Sequence, residues 1–151
     1  MKKVLVLNGP NLNLLGTREP GVYGADTLAD VERLCRDEGE KLCVAVECRQ
    51  SNHEGVLIDW IQEAGREIAS GNMLGVVLNA GAFTHTSVAL HDAIKGANAT
   101  LIELHISNVH AREAFRHHSY ISPAARGIVV GFGVLGYAIA IDALVRLAAT
   151  K

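Results

Sequence analysis

Five short runs of β-branched and other apolar residues alternate with segments of helical periodicity, and that alternation leaves few architectures open to this chain. The runs cover residues 3–8, 43–49, 75–79, 100–106 and 127–132. The first, third and fifth are almost continuously apolar, as parallel strands covered on both faces are. The second, CVAVEC, is mixed in character and belongs at a sheet edge. Helices are expected at 26–39, with Asp26 and Thr27 as caps and Gly39 as the stop, and at 53–70, with Leu57, Trp60, Ile61, Ala64 and Ile68 on one face. Two more are expected at 86–96 and 135–149, and a short helical turn at 111–116. No linker, repeat or low-complexity stretch interrupts the pattern, so the 151 residues read as a single domain, residues 1–151.

Strict β-α alternation predicts an α/β fold of the flavodoxin-like kind, a three-layer sandwich. Its five-stranded parallel sheet has the order 2-1-3-4-5, with helices on both faces. In such sheets a ligand sits outside the C-terminal ends of the strands, beside the point where the strand order reverses. Those ends are rich in polar side chains. Asn8, Asn11, Arg18 and Tyr23 follow the first run, and Gln50, Ser51, Asn52 and His53 the second. Asn79 and His85 follow the third. The fourth carries Glu103 and His105 and leads to Asn108, His110, Arg112 and Arg116. The opposite ends show only ordinary turn residues.

Composition removes several classes of function. A formal charge of -2 provides no electrostatic footprint for nucleic acid or an anionic membrane, and 5% aromatic residues make no base-stacking surface. The first residues run straight into a strand without a leader pattern, and the longest apolar run is broken by glycines, Asp142 and Arg146. Cys35, Cys43 and Cys48 form no C-x-x-C and fit packing roles in a reducing compartment. A cytoplasmic location is expected. The first loop, NGPNLNLLGTREPGVYG (residues 8–24), is neither a G-x-G-x-x-G fingerprint nor a Walker loop.

Each polar residue also has an ordinary structural reading. Asn8, Asn11 and Asn79 could close turns, Thr86 and Ser87 could cap a helix, and His85 could make a structural hydrogen bond. Arg112 and Arg116 could form a solvated cationic face. What favours function is their convergence on one edge of the sheet. A metal is not expected, because no histidine pair has i, i+4 spacing and no carboxylate or cysteine completes a ligand set. No G-x-S-x-G elbow marks a serine nucleophile, and no lysine lies at a strand C-terminal end to form a Schiff base. Acid–base chemistry without a cofactor remains. Glu103 and His105 stand two apart on one strand and share a face, so the carboxylate can fix the tautomer of an imidazole acid. Tyr23 is the candidate base. A free phenol ionises only near pH about 10, and a guanidinium such as Arg18 five residues away favours its phenolate. Glycines at 16, 21 and 24 would let this loop close as a lid over a ligand.

These residues sit within longer stretches: NGPNLNLLGTREPGVYG, RQSNHEG (49–55), NAGAFTHTSVALHDA (79–93), ELHISNVHAREAFRHHSYIS (103–122) and GFGVLGY (131–137). In order and along essentially the whole chain, they resemble the type II 3-dehydroquinate dehydratases. The resemblance implies dehydration of 3-dehydroquinate to 3-dehydroshikimate, in the shikimate pathway or in quinate breakdown, with no cofactor. It implies Tyr23 as base, Arg18 as its activator, Asn11 as holder of a water at the developing enolate, and His105 as the acid oriented by Glu103. Asn79, His85, the backbone at Ile106 and Ser107, and Arg116 would bind the substrate, with Arg112 in support. It further implies a homo-oligomer, trimers assembled into a dodecamer, in which Asp92 reaches a neighbour's site. Departures are few. Ala80 and Phe83 stand where proline and tyrosine are common, and Ala114 where an acidic residue is common.

The rival reading from another class is a non-catalytic flavodoxin-like binding or signalling domain. A flavin or phosphate site would want a Ser/Thr/Gly-rich first loop, and a receiver domain would want an aspartate where Asn79 stands. A purely structural subunit would not explain the one-sided polar loading.

Overall fold

In the computed structural model, residues 1–17 and 19–150 are described, with the backbone alone for Pro20 and Tyr23. Five parallel strands form one sheet in the order β2-β1-β3-β4-β5. They are β1 Lys3–Asn8, β2 Ala45–Gln50, β3 Met73–Asn79, β4 Leu101–His105 and β5 Gly127–Val130. A four-residue helical turn, α1 Pro20–Tyr23, interrupts the first loop. The longer helices are α2 Leu28–Leu42, α3 Glu54–Ala69, α4 Val88–Ala97 and α5 Leu135–Ala149.

The three layers follow from the strand sequences. In β1, Val4 and Val6 enter one core with Val31 and Cys35 of α2 and Tyr137, Ile141 and Leu144 of α5. Leu5 and Leu7 point the other way, into a second core with Leu57 and Ile61 of α3 and Leu90 and Ile94 of α4. A strand with apolar residues at every position can satisfy both faces only as an interior strand between helices. Strands β1 and β3 are of that kind through most of their length, and β4 is interior and buried throughout although it carries Glu103 and His105. The mixed β2 lies at an edge, as its composition requires.

Several expectations need correction. The apolar fifth run is not covered throughout: β5 is the other edge, with β4 as its neighbour, and Ile128 is 52% exposed. The second strand begins two residues late, because Cys43 caps α2 in the left-handed conformation at φ 58° and is exposed rather than packed. The turn expected at 111–116 is two 3-10 turns, Val109–Ala111 and Ala114–Arg116. Helix α2 starts from a capping box, in which the Thr27 hydroxyl accepts from the Asp30 amide and Asp30 returns a bond to the Thr27 amide.

Gly39 does not stop that helix. It lies buried inside α2, where an added Cβ would come within 2.6 Å of Val46 Cγ2 and 2.8 Å of the Val44 carbonyl oxygen. It lets the helix approach β2. The contact decides the sign of Gly39→Ala. In open space the substitution would stabilise the helix by about 1 kcal/mol. Against this contact it will instead destabilise the protein by about 1–3 kcal/mol, measured by urea denaturation.

Candidate functional site

The parallel register brings the chemistry-bearing residues to one edge. Asn8 is level with Gln50 on one side and Asn79 on the other, and Leu78 is level with Glu103, two residues before His105. The strand order reverses between β1 and β3, and a cleft opens beside that point. It is lined by Asn11, Asn79, His85, His105, Ile106, Ser107, Arg112 and Arg116, with Leu12, Leu15 and Val109 as its apolar wall.

The floor is a buried hydrogen-bond chain. The Asn79 side-chain amide donates to the Tyr137 hydroxyl at 3.0 Å, and that hydroxyl donates to Asn8 Oδ1 at 2.5 Å. Asn79 Oδ1 in turn accepts from the Gly81 amide, which orients the amide group beneath the cleft. The first loop is tied down by the end of β2. Asn52 Oδ1 accepts from the Asn11 amide at 3.0 Å and from Gln50 Nε2 at 3.1 Å, while Gln50 also reaches the Gly9 carbonyl. Asn11 itself adopts φ 68°, a left-handed conformation that asparagine tolerates.

Glu103 and His105 occupy the end of β4, 1% and 7% exposed. His105 Nε2 lies 2.6 Å from Glu103 Oε2. Two serines from a distant turn complete the carboxylate's surroundings, Ser119 at 2.8 Å from Oε2 and Ser122 at 2.5 Å from Oε1. Burial pushes the Glu103 carboxyl up, but the bonds from His105, Ser122 and Ser119 and the charge of His105 outweigh it. The net result is a group held below the usual carboxylate range.

His85 stacks against His105, with ring centroids 6.4 Å apart. Burial pushes its pKa down, the His118 carbonyl that accepts from Nδ1 at 2.8 Å opposes this, and the nearby His105 and Arg116 charges lower it further. A neutral ring with its proton on Nδ1 presents Nε2 as an acceptor. Arg112 reaches Ser107 Oγ at 3.3 Å and lies 4.0 Å from both Glu19 and Glu113, so the first loop meets the cleft through Glu19. Arg116 is held by Glu113 at 2.7 Å and lies over the Phe115 ring.

Of the candidates, Asn11, Asn79, His85, His105, Ile106, Ser107, Arg112 and Arg116 are thus gathered, with Glu103 directly behind His105. Asp92 is not: it is exposed and faces a separate groove with Gln62, Gly65 and Arg66, between α3 and α4. Arg18 and the side chain of Tyr23 lie outside the described residues. Gly16 and Gly24, with φ 89° and 82°, flank the turn that contains Tyr23. Ser119, Ser122 and Tyr137 were not singled out from the sequence. Their places in the site are tertiary, and the only local hint was the turn-like S-x-x-S spacing. Among the described residues, no three His, Cys, Asp or Glu side chains gather where a metal could sit.

The cleft therefore offers a buried carboxylate–imidazole pair, a neutral histidine, oriented amides and two arginines, a set suited to proton transfer on a small anionic molecule. Comparison with known proteins agrees with that chemistry. The family model for class II dehydroquinases matches residues 2–145. The 3-dehydroquinate dehydratase of Variovorax paradoxus is 79% identical over 96% of this chain and 99% of its own length. The protein named 3-dehydroquinate dehydratase 2 from Ralstonia nicotianae is 72% identical over 98% and 96%. The crystal structure of type II dehydroquinase from Butyrivibrio crossotus superimposes with a TM-score of 0.89 at 45% identity, covering 95% of this chain and 97% of that one. Sequence, sheet order and cleft thus converge, and the chain belongs to the class II dehydroquinases.

Proposed function

We propose that this chain, as a single catalytic domain, removes water from 3-dehydroquinate to give 3-dehydroshikimate by acid–base elimination, with neither a metal nor a Schiff base. The observation that carries the reading is the buried Glu103–His105 pair at the end of β4, beside a cleft that also holds two arginines. A ring hydroxyl is a poor leaving group unless it is protonated as it departs, and a carboxylate substrate needs cationic partners.

In the proposed mechanism Tyr23, as a phenolate beside Arg18, takes the proton from C2, next to the C3 ketone. The electron pair moves into an enolate, and a water held by Asn11 stabilises the enolate oxygen. Collapse of the enolate forms the C1–C2 double bond and expels the C1 hydroxyl. That hydroxyl takes a proton from His105 and leaves as water, while Glu103 orients the ring. Asn79, His85, Arg116 and the backbone at Ile106 and Ser107 hold the carboxylate and ring hydroxyls, and Arg112 supports the pocket.

The proposal extends to a homo-oligomer, trimers assembled into a dodecamer, in which Asp92 of one chain serves the cleft of the next. The outward position of Asp92 supports this, as do the exposed apolar side chains of Ile128, Phe132 and Leu135 on and just after β5. The proposal places the step in the cytoplasm, in the shikimate pathway towards aromatic amino acids or in quinate breakdown; the three free cysteines fit a reducing compartment.

The test is a continuous ultraviolet assay for the conjugated enone product. It is run on protein whose oligomeric mass has been measured by light scattering, with and without chelator and borohydride. Turnover should survive both treatments. No turnover by the folded oligomer would remove the reading, and loss on chelation would remove the metal-free mechanism.

A further inference from the structure

The hydroxyl of Ser119 has no freedom left. A serine oxygen carries one hydrogen and two lone pairs. Both lone pairs of Ser119 Oγ are occupied, by the amides of Ile121 and Ser122, each at 3.0 Å. Its hydrogen therefore has one destination, Glu103 Oε2 at 2.8 Å. The same Oε2 also faces His105 Nε2 at 2.6 Å. Donors to a carboxylate favour its ionised form over the protonated one, so Oε2 faces Nε2 as an anion. The proton between Glu103 and His105 accordingly resides on Nε2, and Nδ1 is the ring nitrogen left to exchange a proton in the cleft. Ser122 adds a donor to the other oxygen, Oε1, at 2.5 Å.

We propose that Ser119 and Ser122 form a positioning clamp that sets the acid strength of His105 by saturating the carboxylate behind it. The inference rests on the dehydratase reading for its kinetic consequences, but the proton placement stands on hydrogen-bond geometry alone. Three donors disperse the negative charge of Glu103 over both oxygens. The carboxylate then orients the ring without holding the ring's proton too tightly to be released. A bare carboxylate would bind the imidazolium more strongly and make it a weaker acid towards the leaving hydroxyl. Among the described residues, the other charged or titratable groups facing the pair are His85, stacked on His105, and Arg116 and Arg112 of the cleft wall. None of these contacts the serines in the hydrogen bonds above.

The turn that carries the clamp is built for the purpose. Residues 120–121 bend the chain just before a 3-10 turn at Ser122–Ala124, and Ile121 between the serines is fully buried in the core beneath. That anchor fixes both hydroxyls relative to β4, 16 and 19 residues away in sequence.

Ser122→Ala removes one donor and leaves the backbone-capping oxygen of Ser119 in place. It should lower kcat about tenfold, leave KM unchanged and move the alkaline limb of the kcat–pH profile to higher pH. Ser122→Thr, which keeps the hydroxyl, should restore both. Nitrogen-15 NMR of the His105 ring in the unliganded protein should show Nε2 protonated throughout and Nδ1 as the nitrogen that titrates. An unchanged kcat and limb in folded Ser122→Ala would overturn the clamp. So would a fall in kcat without a shift of the limb, which a merely misplaced ring would produce. An Nε2 that titrates while Nδ1 stays protonated would overturn the proton placement. A parent protein without turnover on 3-dehydroquinate would strike the dehydratase reading alone, since the NMR assignment needs no substrate.

Discussion

Replacing Tyr23 by phenylalanine will reduce kcat for 3-dehydroquinate by roughly 10²–10⁴-fold, the range expected for loss of a general base. The ring's size is kept, and only the ionisable oxygen is lost. The residue ends a helical turn on the first loop and the variant keeps its ring, so fold and thermal stability should match the parent. Substrate affinity, measured by calorimetry, should change little, because the carboxylate and hydroxyl partners proposed above are other residues. Near-normal turnover in this variant would take the base role from Tyr23.

His105→Ala will have an effect of similar size on rate, roughly 10²–10⁴-fold, and a second effect that Tyr23→Phe lacks. It strips a buried carboxylate of its imidazole partner, leaving the two serine hydroxyls among the described residues. The loss of stability at neutral pH should be about 1–3 kcal/mol, read from denaturant midpoints. The sign of its pH dependence follows from Glu103. A carboxyl whose folded pKa is lowered contributes stability above its ordinary value of 4.5, and that contribution is lost as pH falls through the lower folded value. The gap between parent and variant should therefore be widest above pH 4.5 and close below it. A variant that keeps its rate would move the acid role to another group. One that loses rate but no stability would mean that the pair is not coupled as the 2.6 Å contact indicates.

The fold was legible because its strongest signal is local. Apolar runs of strand length alternating with amphipathic helices suit a parallel sheet covered on both faces, for which 2-1-3-4-5 is a common order. Convergence of the polar residues was legible for the same reason, since each directly follows a strand. What escaped was set by partners distant in sequence. Gly39 reads as a helix stop, yet its meaning comes from Val46 on the next strand. Cys43 looks like a strand residue until the chain needs a left-handed cap there. Fifth-strand coverage failed because an apolar sequence does not distinguish helices on both faces from an open edge. Ser119 and Ser122 look like ordinary turn serines, and nothing in their neighbourhood names Glu103 as their target. Asp92 entered only through family resemblance, and within one chain it lies off the cleft.

The bridge from Asn8 through Tyr137 to Asn79 bears on how the protein comes into being. The first strand made during synthesis has the side-chain oxygen of its terminal asparagine satisfied by a residue 129 positions later. Until the last helix emerges from the ribosome, Asn8 and Asn79 face the cleft floor without the hydroxyl that orients them. The catalytic edge cannot be assembled piecemeal from the N-terminus: a growing chain can form β1 and β3, but the floor closes in one late step. A ribosome-stalled or truncated product lacking α5 would hold nearly all the proposed catalytic residues and still have no working site.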